Sequence, residues 1–155
     1  MIEFYQVIES VRIIRFVIFG CILAGASLND LKRMKIPNRL VAAGAAVSLL
    51  RLAEGTALVQ VLAGLVPAAG ILITVLVLRA FTGRSMMGAG DIKLIGVIGL
   101  HLGTTQTLIA TAAACALGIL LYPVIKGKRF PFAPMLFAGT VLAGIIGIYT
   151  VNYLV

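Results

Sequence analysis

The chain is expected to be all-α: a polytopic integral membrane protein of six transmembrane helices. Three observations carry that reading. Of its 155 residues, 61% are hydrophobic and 12% charged, too few polar side chains to cover a soluble domain of this size. Two stretches run uncharged over membrane length, 57–78 with 22 positions and 132–155 with 24, where roughly 20 apolar residues suffice to cross a hydrocarbon core. Most of the remaining charges are gathered between such stretches.

Taken in order, residues 13–28 form the first span, inside a helix expected over about 11–29. Residues 39–53 (RLVAAGAAVSLLRLA) give a short second helix, about 38–52, and the third covers about 57–79. Residues 94–125 carry no formal charge apart from a proton on His101, but 32 positions are too many for one span. The break falls at HLGTTQ (101–106), giving helices at about 88–101 and 104–124, and the sixth covers about 132–154. The third and sixth follow from length alone. The second and fourth need the charge pattern.

A net charge of +8 raises the question of nucleic acid, but the placement of the charges answers it. Ten of the thirteen basic residues fall in three clusters: Lys32, Arg33, Lys35 and Arg39; Arg79, Arg84 and Lys93; Lys126, Lys128 and Arg129. Six spans put all three on one face and leave Arg12, Arg15 and Arg51 on the other. That asymmetry is the positive-inside pattern, so the rich face is expected to be cytoplasmic and both termini outside. The expected partner of the basic loops is therefore the lipid bilayer and not nucleic acid. A cleavable signal peptide ending at Ala24-Gly25-Ala26 is disfavoured, because cleavage there would carry Lys32 to Arg39 across the membrane. Cys21 and Cys115 fall within spans without metal-ligand spacing, so neither a disulfide framework nor a zinc site is expected.

The only two aspartates, Asp30 and Asp91, both lie on the predicted cytoplasmic side, in SLNDLKRMKIPN (27–38) and GAGDIKL (88–94). A carboxylate beside hydrocarbon is costly to keep and marks a functional site. Two brought together share a proton and titrate as a unit, which suits general acid/base hydrolysis without a covalent intermediate. Each also has a plain structural reading. Asp91 stands where a helix begins and Asp is a preferred N-cap, while Gly88 and Gly90 suit the turn before it or a close approach to the carboxylate. Asp30 stands at a helix end, where the dipole disfavours an anion, with cations following to balance it. Ile36-Pro37-Asn38 enforces an extended turn, and Asn38 is placed to cap the second helix. Lys32 and Lys93 each stand two positions after an aspartate, placed to balance it and to reach anionic headgroups. Pro131 and Pro134, in PFAPMLFAG (131–139), suit a helix entry or an irregular backbone lining a cavity beside the aspartates.

Other chemistry finds no support. The sequence has no HExxH, GxSxG or Walker A pattern. His101 is expected as an interfacial residue on the opposite face. Ser27 and Ser85 lack an activating base and are candidate hydrogen-bond partners. The glycines at 99, 103, 139, 144 and 147 are expected to permit close helix packing.

The ordered set DLKRMKIPN, GAGDIKL and PFAPMLFAG resembles the type IV prepilin peptidase family of GxGD intramembrane aspartyl proteases over essentially the whole chain. The likeness is strongest to the short members that serve tight-adherence (Flp-type) pili, and archaeal preflagellin peptidases are a more distant alternative. The resemblance implies Asp30 and Asp91 as the catalytic pair, with Gly88, Gly90, Ile36, Pro37, Asn38, Pro131 and Pro134 in supporting positions. It implies substrates of the prepilin and pseudopilin kind, cut on the cytoplasmic side between a short basic leader and a hydrophobic helix, and no cofactor or metal. Basic loops would not attract such a leader, so they are assigned to topology and headgroups. Long family members carry an extra methyltransferase domain, often with paired CxxC zinc motifs. A single peptidase domain over 1–155, without that activity, is expected here. The presenilin-like branch fits worse, because the first motif is of the D–IPN type. From other classes, a small proton or ion carrier and a structural subunit of a secretion machine stay open.

Overall fold

A computed structural model describes residues 2–53, 55–83, 87–121, 123 and 131–153, with side chains described between 10 and 147. Arg84, Ser85, Lys126, Lys128 and Arg129 lie outside the described residues. Among those described, the chain folds as α1 (Ile2–Arg33), α2 (Asn38–Leu49, prolonged by a 3-10 turn at Leu50–Leu52), α3 (Leu58–Ala63), α4 (Val66–Thr82), α5 (Ala89–Leu102), α6 (Thr104–Leu121) and α7 (Ala133–Tyr153). With α3 and α4 sharing the third expected span, these are the six expected helical units. Ser10–Arg33, Leu58–Thr82 and Thr104–Leu121 are long and apolar enough to cross a membrane.

The distribution of side chains is that of a membrane protein. Val59, Phe81 and Ile119 stand 77%, 85% and 75% exposed on outer helix faces, while Ser48, Thr107 and Thr140 are buried. Lipid tolerates the first group, and the second hydrogen-bonds to backbone carbonyls inside the bundle. Cys21 and Cys115 lie on outer faces as well.

Helix α5 is the centre of the bundle, packed against α2, α3, α4, α6 and α7. Leu94 to Gly99 are buried without interruption. A helix apolar on every side is surrounded by protein, which explains why this segment needs neither the length nor the amphipathic pattern of an outer helix.

The third expected span, 57–79, is broken between Ala63 and Val66. Pro67, the second residue of α4, has no N–H for the carbonyl of Ala63, and its ring would collide with that carbonyl in a continuous helix. The hydroxyl of Thr104 donates to the freed Ala63 oxygen at 2.8 Å. The break also brings Gly64 against Gly99 of α5. A Cβ on either would run into the backbone carbonyl of the other. Gly139 fits as closely against the Ala110 carbonyl of α6. Gly103 serves a turn instead, ending α5 at φ 88°.

His101 lies inside the bundle and not on its surface. It is 3% exposed and stacked on Phe19, with ring centroids 3.8 Å apart and planes 4° apart. An imidazole matched to an aromatic face packs as a flat core residue. Nearby, Arg51 donates to the Leu100 carbonyl at 3.1 Å and so serves the C-terminal end of α5. Arg15, which the sequence places at the same end as Arg51, is buried in the same region.

Candidate active site

Asp30 lies in the last turn of α1, where its backbone carbonyl accepts the N–H of Met34 at 2.8 Å. Its side chain is 7% exposed. A helix C-terminus is the wrong end for a buried anion, and the fold compensates with the opposite end of another helix. Ala133, the first residue of α7, donates its backbone N–H to Asp30 Oδ2 at 3.1 Å. That N–H belongs to the first turn and has no partner within its own helix. One turn before Asp30, and therefore on the same face of α1, Ser27 donates its hydroxyl to the Ala133 carbonyl at 3.1 Å.

This contact decides between the two readings of PFAPMLFAG in favour of the helix entry. Pro131 and Pro134 do not line the cavity described below. They frame the entry to α7, with Pro134 at its second position, where a missing N–H costs nothing. Met135 and Leu136 both donate to the Phe132 carbonyl at 3.1 Å. The N–H left over is that of Ala133, and it is spent on Asp30.

Asp91 is not an N-cap. Gly88 takes that position, with φ −71° and ψ 139°, and Asp91 is the third residue of α5. From there its carboxylate accepts the backbone N–H of Gly88, the returning half of a capping box. The two glycines of GAGD have separate steric reasons. A Cβ on Gly88 would stand 3.1 Å from Asp91 Oδ2, and one on Gly90 would stand 3.3 Å from the Cβ of Ile36. Gly90 thus lets the loop after α1 lie directly on the start of α5. We expect a stability coupling of about 1 kcal/mol between the two positions. Gly90→Ala should cost that much more in the presence of Ile36 than in an Ile36→Gly background, which removes the facing Cβ, measured by thermal unfolding in detergent. Equal cost in both backgrounds would contradict the contact.

Ile36 and the extended Pro37 carry the chain from α1 to α2. Met34 adopts φ 50°, a left-handed conformation that side chains other than Gly, Asn and Asp seldom occupy. Asn38 was expected to cap α2, but Pro37 occupies the N-cap position and no side-chain cap forms. The Asn38 Oδ1 instead accepts from Lys93 Nζ at 3.2 Å, joining the loop to α5 a second time.

Between these elements lies an open cavity of about 360 Å³. Asp30 lines it from α1, Met34, Lys35 and Ile36 from the loop, Asn38 from the start of α2, and Gly88 to Asp91 with Lys93 from the start of α5. The two carboxyl groups face the same space, close enough for Asp91 to feel the charge of Asp30. The structure thus brings together Asp30, Asp91, Gly88, Gly90, Ile36, Asn38 and Lys93. Lys32 is exposed and, like Pro37, lies outside the lining. Such a pair can share a proton, one member accepting from water while the other donates to a polarised carbonyl. The partnership of Ser27 and Ala133 was not readable as such. Its trace in the sequence is a serine three residues before the aspartate.

Comparison with known proteins identifies the family. A model of the type IV leader peptidase family matches residues 17–123. The chain is 30% identical over 149 residues to a prepilin leader peptidase/N-methyltransferase of Bacillus subtilis (strain 168), an alignment covering 89% of this chain and 58% of that protein. The chain therefore spans little more than half the length of this curated relative. No solved structure matches the chain. By the extent of the family match and the identity to this relative, the chain belongs to the type IV leader peptidase family.

Proposed function

We propose that the protein is a prepilin leader peptidase, an aspartic endopeptidase that cuts between a short basic leader and the hydrophobic helix of prepilin-like substrates. The observation that carries the proposal is the meeting of Asp30 and Asp91 in one cavity at one end of the bundle. The ionised member of the pair takes a proton from a water held between them, and the water oxygen forms a bond to the scissile carbonyl carbon. The protonated member gives its proton to the carbonyl oxygen. Collapse of the resulting gem-diol breaks the C–N bond: one hydroxyl returns its proton to the ionised member while the leaving amine takes a proton from the other, which restores the pair and leaves a carboxyl group and an amine. No covalent intermediate is needed. Gly88, Gly90 and Ile36 hold the Asp91 loop against the α1–α2 connection, and the Ala133 N–H holds Asp30.

The site lies on the cytoplasmic side of a bacterial inner membrane, and both termini lie outside. Clustering of Lys32, Arg33, Lys35, Arg39 and Lys93 at the same end of the bundle supports this sidedness. Helix α5, with 14 residues, is about 21 Å long, shorter than the roughly 30 Å hydrocarbon core. At least one of its ends therefore sits below the membrane surface, where a cut just before a hydrophobic substrate helix is within reach.

The proposal is limited to the peptidase step. The Bacillus relative's name adds an N-methyltransferase, but within residues 1–155 neither Cys21 nor Cys115 belongs to a CxxC pair. Purified protein in proteoliposomes, given a panel of leader-bearing prepilins, should make a single cut per substrate and leave an unmethylated new N-terminus by mass spectrometry, even with a methyl donor present. Failure to cut any member, together with proton flux across the same liposomes, would favour the carrier reading. A methylated product would overturn the restriction to peptidase.

A further inference from the structure

Hydroxyl groups in these helices commonly turn back on their own backbone. Thr74, Thr82, Thr111 and Thr140 each donate to the carbonyl four residues earlier, at 2.6–2.9 Å. Ser27 does not. Its buried hydroxyl leaves α1 and donates to Ala133 of α7, 106 positions away in sequence, at 3.1 Å. Ala133 is fully buried, and its N–H is the group that holds Asp30 Oδ2. One residue of α7 is therefore gripped twice by the same face of α1, through its carbonyl by Ser27 and through its N–H by Asp30.

We propose that Ser27 is a positioning residue for Asp30, acting through Ala133. By fixing the start of α7 against α1, its hydroxyl sets the direction of the Ala133 N–H and hence the rotation of the Asp30 carboxyl towards Asp91. Ser27 touches neither the cavity nor a reacting atom. Its contribution is to the geometry of the pair, where a displacement on the order of 1 Å slows turnover far more than it weakens binding. The inference rests on the peptidase reading given above.

The test uses the full chain in detergent or proteoliposomes with a cleavable prepilin, comparing wild type, Ser27→Ala, Ser27→Thr and Asp30→Asn. Ser27→Ala should lower kcat per folded enzyme about tenfold, with KM within about twofold of wild type. Ser27→Thr, which keeps the hydroxyl, should retain at least about half of wild-type kcat. Thermal unfolding of each variant separates this from a merely structural role, which would lower the melting temperature and leave kcat per folded molecule unchanged. Wild-type kcat in Ser27→Ala would overturn the proposal, as would a Thr variant as slow as the Ala variant. Asp30→Asn keeps the two failures apart. If it is inactive while Ser27→Ala is normal, only the positioning role falls, whereas full activity in Asp30→Asn removes the peptidase mechanism itself.

Discussion

Asparagine at Asp30 or at Asp91 should leave the protein in the membrane and slow prepilin cleavage by about 10³-fold, within the 10²–10⁴-fold typical of general acid/base catalysis. The substitution suits the question because it is nearly isosteric. At position 30 the amide oxygen can still accept the Ala133 N–H, so the link between α1 and α7 has a replacement partner. At position 91 the amide oxygen can likewise accept from Gly88. What asparagine cannot do is carry a proton between water and substrate. Cleavage per folded molecule, with membrane accumulation measured alongside, distinguishes this from misfolding. Normal processing by either variant would contradict an aspartate pair.

The second large effect lies away from the carboxylates. Gly99→Ala should destabilise the fold by about 3 kcal/mol, the upper part of the usual range for overpacking, because the added Cβ meets the backbone carbonyl of Gly64 and not a movable side chain. Gly96, one turn earlier on α5, is the control. A Cβ there would meet Ala68 and Leu65 side-chain atoms at 3.6 Å, an ordinary contact, and Gly96→Ala should change stability by less than about 1 kcal/mol. Thermal unfolding in detergent gives both values. Similar stabilities for the two variants would show that the α3–α4 break does not press against α5 as described.

The fold was legible where it depends on hydrocarbon thickness. Residues 57–78 and 132–155 were readable as helical segments by uncharged length, and the basic clusters resolved the short helices 38–52 and 88–101. Helix α5 was short for a reason that appears only in three dimensions: it faces other helices on all sides. Pro67 had the power to break the third span. Its effect depends on the Thr104 hydroxyl accepting responsibility for the Ala63 carbonyl, a contact across 41 positions that no local pattern encodes. The packing of His101 was hidden for a related reason. Beside Gly103 it reads as a polar helix end, yet its ring lies flat on Phe19 inside the bundle.

The candidate site divides in the same way. Asp30 and Asp91 stood out because a carboxylate near hydrocarbon is costly and the chain has no other aspartate. Gly88 and Gly90 were marked as places of close approach, but what approaches Gly90 is Ile36 from the other motif. Asn38 looked like a cap because of its place after Pro37, whereas the proline itself occupies the cap position and frees the amide for Lys93. The proline motif was open to two readings, a helix entry or a cavity wall, and the helix entry is the one the structure shows. It starts α7 with one unspent N–H beside Asp30, which removes the conflict between a buried anion and the C-terminal end of α1.

The central claim is that Asp30 and Asp91 act as one acid/base unit, and a double-mutant cycle on kcat/KM for prepilin cleavage tests it most directly. Asp30→Asn, Asp91→Asn and the double variant are measured per folded molecule. Groups that act as a unit are strongly non-additive, so the double variant should be no more than about threefold slower than the slower single. Losses that multiply, or wild-type cleavage by either single variant, would contradict the pair.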